Sequence, residues 1–166
     1  MAELTPLEKL QPCLLDRLTD EEPDKTDESR NQRIISHQRY KRGVLRDLEW
    51  LFNASAHLPE EGTDKFRLSD YPDAFRSVIN YGTRQLCGLI APNMEELERE
   101  LLEAIALFEP RIIRNTLLIK ANIERHIVSF EISGELWANP ISEKLFIKTK
   151  MDLETGQSTL GDATNG

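Results

Sequence analysis

The hydrophobic period of this chain changes once, and it changes at a proline. Upstream of Pro110 apolar residues recur every three or four positions, whereas downstream they alternate with polar ones. A chain that reads as helices first and antiparallel strands last belongs to the α+β class. The expected architecture is N-terminal helices packed on one face of a small C-terminal antiparallel sheet of three or four strands. At 166 residues the chain can bury one core and not two.

The helical half divides at its breakers. After Pro12, Leu14, Leu15 and Leu18 make a short amphipathic turn, and a charged, proline-containing stretch follows to Ser29. From Ser36 to Ala54, Tyr40, Val44, Leu48, Leu51 and Phe52 fall on one helical stripe beside Leu45. Ser36 can accept from the first-turn amides, and Leu58-Pro59 ends the pattern. "AHLPEEGTDKFRLSDYP" reads as a loop. Asp70 is expected to cap a helix over 72–80, with Phe75, Val78 and Ile79 inward and Gly82 at its end. After the loop "GTRQLCGLIAPN", Asn93 and Glu96 have the spacing of a capping box. They open the clearest helix, with Leu97, Leu101, Ala104, Ile105 and Phe108 on one side.

Pro110 cannot continue that helix, and it disfavours helical dihedrals at Glu109. Beyond it Leu117, Ile119, Ala121 and Ile123 alternate with polar or exposed positions. After a break at 124–126, Val128, Phe130, Ile132 and Leu136 lie on the inward side, which predicts a hairpin. Pro140 interrupts, and Leu145, Ile147, Met151 and Leu153 share one face of a further strand. The tail "QSTLGDATNG" is too polar to fold. The expected organisation is a flexible segment with a short anchor over 1–29, one domain over 30–156, and a disordered tail over 157–166.

Lys and Arg total 21 against 29 Asp and Glu, giving a net charge of −8 and a pI near 5.0. That balance argues against binding nucleic acid, which needs a basic field. The run Arg39-Tyr40-Lys41-Arg42 with Arg46 reads as a solvated helix face, with a docking site for an acidic partner as the alternative. Cys13 and Cys87 form no metal or redox motif and are expected to be free thiols. The acidic N-terminus does not resemble a signal peptide, and no apolar run approaches the ~20 residues of a membrane span. A cytoplasmic protein without membrane insertion is expected.

Signatures of chemistry are missing. The sequence has no GxSxG, GxxxxGK, GxGxxG or HExxH, and His37, His57 and His126 stand apart from one another and from the cysteines. Acidic residues are abundant, including Glu109, Glu124, Glu131 and Glu135, so composition alone leaves a glycosidase pair open. Alternation turns Glu131 and Glu135 outward. Glu109 lies beside Arg111, and a neighbouring cation favours the ionised form of a carboxyl group, the wrong direction for a general acid. No enzyme, cofactor or metal is expected.

The junction "FEPR" is more specific. Pro110 enforces extended or turn geometry, in which residues two apart point the same way, so Glu109 and Arg111 can stand side by side. One reading is a local ion pair worth ~0–1 kcal/mol when exposed. The other is a rigid guanidinium fork, held by its glutamate and offered to a carboxylate or carbonyls on a partner.

"LRDLEWLFN" (45–53), "YPDAFRSVINYG" (71–82), "FEPR" (108–111) and "DLETG" (152–156), in this order, together with "LLDRLTDEEP" near the start, resemble the TssE family. These are baseplate subunits of bacterial type VI secretion, similar to the wedge protein of contractile phage tails and often labelled lysozyme-like. The resemblance spans about residues 12–156. It implies a structural role in the wedge complex with TssF, TssG and TssK, beneath the TssB/TssC sheath and around the spike protein. It also implies that Glu109, Pro110 and Arg111 buttress a helical bundle made by TssF and TssG. The last strand region, with Leu145, Ile147, Met151 and Leu153, would offer an edge onto which the first sheath ring adds a strand. The family implies no metal and no small-molecule cofactor. The lysozyme-like label raises an alternative, a peptidoglycan hydrolase, which the residues themselves do not support.

Overall fold

A computed structural model describes residues 10, 13–19, 24, 35–56, 70–83, 93–124, 127–138, 142–152, 155 and 157–162. Among the described residues four α-helices precede four strands: α1 (Leu14–Leu18), α2 (His37–Asn53), α3 (Pro72–Phe75), α4 (Met94–Phe108), β1 (Leu118–Glu124), β2 (Ile127–Leu136), β3 (Glu143–Asp152) and β4 (Ser158–Asp162). The expected α+β class is what the chain adopts. The sheet is an antiparallel meander in the order β1-β2-β3-β4, with Ala121 opposite Phe130, Ile132 opposite Ile147 and Thr149 opposite Leu160.

The long helices form where the stripe and caps predict them. Ser36 Oγ accepts from the Arg39 amide at 3.2 Å, and α2 runs to Asn53. Val44, Leu48, Leu51 and Phe52 are buried with Leu97, Leu101 and Ile105 of α4 against Val128, Phe130, Ile132 and Ile147 of the sheet. Each such side chain contributes about 1.5–3 kcal/mol, so this layer contact holds the fold together. Asn93 caps α4 by accepting from the Glu95 amide at 3.1 Å, while the Glu96 carboxylate lies 3.7 Å from Arg99.

Three expectations are corrected. The helix over 72–80 is two pieces, α3 and a 3-10 turn over Val78–Asn80, with Tyr71 and not Asp70 in the cap position. Ser77 explains the break: its hydroxyl donates to the Ala74 carbonyl at 2.7 Å and accepts from the Ile79 amide at 3.3 Å. Side-chain bonds of this kind compete with the helical ladder. Val78 and Ile79 consequently face outward, 83% and 50% exposed. Gly82 does end the segment, at φ 131°, where a Cβ would meet the Ala54 carbonyl oxygen at 2.4 Å.

The second correction concerns the tail, of which residues 158–162 form β4. Its polar composition hid a partner elsewhere: Asn53, at the end of α2, accepts from the Ser158 amide at 3.0 Å and donates to the Ser158 carbonyl at 3.1 Å. The third concerns α1, whose leucines were expected to anchor it. Leu14 and Leu18 are 71% and 74% exposed, and the helix is attached by its polar side instead.

Candidate functional site

The site forms where α4 stops. Glu109 caps α4, its amide still donating to the Ile105 carbonyl at 2.8 Å, and the Ile112 amide donates to the Glu109 carbonyl at 3.1 Å across the proline turn. The chain then joins the sheet. The Trp137 amide donates to the Arg111 carbonyl at 2.7 Å and the Ile113 amide to the Glu135 carbonyl at 2.8 Å, with Ile112 bridged to Leu136. Pro110 thus turns the chain directly from helix into pairing with the end of β2.

Within this turn the expected side-by-side pair is present, but it is not on the surface. Glu109 is buried, 3% exposed. One carboxylate oxygen accepts from Arg111 Nε at 2.6 Å and from the Arg111 amide at 3.2 Å. The other accepts from Arg111 Nη2. Arg111 Nη2 also donates to Asp47 Oδ2 of α2 at 2.5 Å. Asp47 Oδ1 in turn receives Arg46 Nε at 2.9 Å, and Arg46 Nη1 reaches Asp16 Oδ1 of α1 at 2.6 Å. A single chain of charge-assisted bonds therefore runs Glu109–Arg111–Asp47–Arg46–Asp16, tying together α1, α2, the end of α4 and the junction.

Burial alone would depress the Arg111 guanidinium's pKa, but the paired Glu109 bonds and then Asp47 outweigh it and hold the group above its ordinary value. Arg46 follows the same pattern, with Asp16 and Asp47 as its supports. For Asp16, burial works against the charge, while the Cys13 thiol and Arg46 hold its carboxyl below the usual carboxylate range. Three carboxylates on two guanidiniums leave this network with one net negative charge.

The network forms one wall of an open groove of about 720 Å³ lined by Tyr40, Trp50, Tyr81, Phe108, Pro110 and Trp137, among others. The Tyr40 hydroxyl donates to the Trp137 carbonyl at 3.0 Å, and Tyr81 packs edge-on to Phe108 with ring centroids 5.3 Å apart. Trp50 and Trp137 are half exposed at the rim, and Arg46 stacks over Trp50 at 5.1 Å. Chemically this is a preformed concave surface, aromatic with one charged wall, of the kind that seats a protein side chain or helix.

The site residues expected from sequence fall into two separate places. Glu109, Pro110 and Arg111 line the groove. Leu145, Ile147 and Met151 lie in the core, all at most 2% exposed, and β3 is flanked by β2 and β4, so their strand is not the sheet edge over its paired length. Leu153 lies outside the described residues. The Asp152 amide donates to the Gln157 carbonyl at 3.0 Å. With antiparallel alternation this turns the backbone groups of Ser158 and Leu160 away from β3, which moves the edge on this side to β4.

Sequence reasoning missed Asp47 and Asp16 as members of the site and placed Arg46 on a solvated helix face, with docking to an acidic partner as the alternative. Asp47 sits inside the "LRDLEW" string, but nothing local says that its partner lies 64 positions away. Among the described residues no group of three or more His, Cys, Asp or Glu converges as a metal would need, and no helix is long and apolar enough to cross a membrane.

Fold and site together define an α+β scaffold whose helix-to-strand junction is braced by ion pairs beside an aromatic groove. The family model described as baseplate wedge protein gp25 matches residues 38–141, more than half of the chain, and the chain belongs to that family. Its role is accordingly that of a structural component of a phage-tail-like baseplate. The matched span contains α2 from its second residue, α3, α4, the Glu-Pro-Arg junction, β1 and β2. No curated protein matches the chain, nor does any solved structure.

Proposed function

We propose that this chain is the non-enzymatic wedge subunit of a type VI secretion baseplate, joining TssF, TssG and TssK in the cytoplasm below the TssB/TssC sheath. The observation that carries the reading is the Glu109-Pro110-Arg111 junction, locked by Asp47 into one wall of the aromatic groove. A rigid arginine beside exposed tryptophans is the composition of a protein-docking hot spot. The groove seats the helical bundle of TssF and TssG. At the sheet edge formed by β4, the outward backbone groups beyond Ser158, whose own are bonded to Asn53, are where the first sheath strand adds.

The carboxylate in the groove supports a structural role over hydrolysis. Both Glu109 oxygens are taken up by the Arg111 guanidinium, a setting that does not free this carboxyl to protonate a leaving oxygen. The test is co-purification from a type VI-positive cell, with residues 108–112 intact or altered. Loss of TssF and TssG and of effector delivery on altering the segment is expected. Unchanged co-purification and secretion would remove the junction from assembly, and clearing of purified cell walls by the chain would replace the reading with hydrolysis.

A further inference from the structure

Helix α1 is placed by something other than its own stability. It has five residues and none of them is buried; isolated helices of that length do not persist in water. Its attachment to α2 is polar. Besides the bond from Arg46 Nη1 to Oδ1, Asp16 Oδ2 accepts the Cys13 thiol at 3.0 Å, and Arg46 Nη2 lies 3.6 Å from the Cys13 sulfur.

Gly43 supplies an independent observation. It sits inside α2, where glycine costs about 1 kcal/mol relative to alanine. A Cβ there would stand 3.3 Å from Asp16 Oδ2 and 3.7 Å from Arg111 Nη1. The bare backbone of Gly43 is thus the floor of a gap with the Asp16 carboxylate on one side and Arg111 on the other. Glu109 and Asp47 use Nε and Nη2 of Arg111, and among the described residues Nη1 has no hydrogen-bond partner. With α1 in place, three carboxylates face two guanidiniums. With α1 away, two face two, and both Arg46 Nη1 and Arg111 Nη1 are open.

We propose that Asp16 is an internal stand-in for a partner's carboxylate. Helix α1 is an exchangeable strap, and the site between Arg46 and Arg111 takes an Asp or Glu side chain of the docking protein when the baseplate assembles. The charge balance selects that ligand: two open guanidinium nitrogens fit one carboxylate, whereas the standing Asp47 and Glu109 oppose a doubly charged phosphate. Release of the strap also removes Cys13 and Leu15 from the groove wall. The proposal rests on the docking role of the junction argued above, and the experiment separates the two.

The full chain, its D16N variant and its R111A variant are titrated against a purified TssF–TssG subcomplex. In a C87S background, where Cys13 is the only thiol, the rate of maleimide labelling reports the strap in the free chain. D16N is expected to label several-fold faster and to bind about 3- to 10-fold more tightly, the gain for a strap that fills the site about 70–90% of the time. R111A is expected to bind more weakly. Binding unchanged by R111A would defeat the docking role itself. Binding weakened by R111A but unchanged or weakened by D16N would leave the docking role standing and overturn the strap. Since no residue of α1 is buried in the core, D16N retains the fold, and tighter binding is a result that a purely structural contact does not produce.

Discussion

Replacing Arg111 with alanine strips a 3%-exposed Glu109 of its only cationic partner among the described residues and removes one of the two guanidiniums on Asp47. Breaking a buried pair from one side costs about 3–5 kcal/mol, because the orphaned charge loses its compensation. The Arg111 side chain is 19% exposed and its groove is open, so water can re-enter and the lower end, about 3 kcal/mol, applies here. For a chain of this length that corresponds to a loss of about 6–12 °C in Tm. Glutamine at position 109 removes the charge that Arg111 balances and should cost about 1 kcal/mol. The double variant E109Q/R111A no longer contains a stranded carboxylate and should lose only about 2 kcal/mol, so the single losses overshoot the double by about 2 kcal/mol. Urea unfolding of the four proteins at pH 7 measures this cycle. Losses that add to within about 0.5 kcal/mol would mean an idle pair of the surface kind, and the buried-clamp reasoning would be wrong.

Other variants probe other links of the chain. Asn53→Ala removes both side-chain bonds to Ser158 and should cost about 1–3 kcal/mol, with faster hydrogen exchange at the Ser158 amide and unchanged exchange in β2. Gly82→Ala forces a Cβ onto the Ala54 carbonyl at positive φ and should destabilise by at least about 2 kcal/mol in thermal melts. Gly43→Ala should gain about 0.5–1 kcal/mol of helix stability while crowding Asp16, seen as shifted Leu15 methyl signals. The Asp16 carboxyl is held below its ordinary value of 3.8, so its contribution is complete above that pH and is lost as pH falls through the lower folded value. The Leu14, Leu15 and Leu18 methyls should report release of α1 in that acid range, before the core methyls of Val128 and Ile132 respond.

The sequence made the layers legible because each rests on local periodicity. The stripe from Tyr40 to Phe52, the positions Leu97, Leu101 and Ile105 of the next stripe and the alternation through β2 are buried as expected, Phe108 being partly buried at the groove, and Pro110 marks the turn between helix and strands. What escaped was set by pairing at a distance. β4 has one large apolar residue, Leu160, and is held at its start by Asn53, 105 positions earlier. Val78 and Ile79 kept helical spacing, but Ser77 redirected them by its own hydrogen bonds. The Glu-Pro-Arg junction was visible as a rigid pair, whereas its burial and its dependence on Asp47 were not, since neither residue type nor spacing encodes a partner on another helix. Asp16 was hidden by its own leucines, which suggested an apolar anchor where the chain uses a carboxylate.

Backbone hydrogen exchange of the free chain, compared with the same chain in a TssF–TssG complex, tests the central claim most directly. The docking role predicts new protection across residues 109–113 and around Trp137, where the junction pairs with the end of β2 beside the groove. Protection that leaves these residues unchanged and falls instead on the exposed 71–80 segment would contradict it.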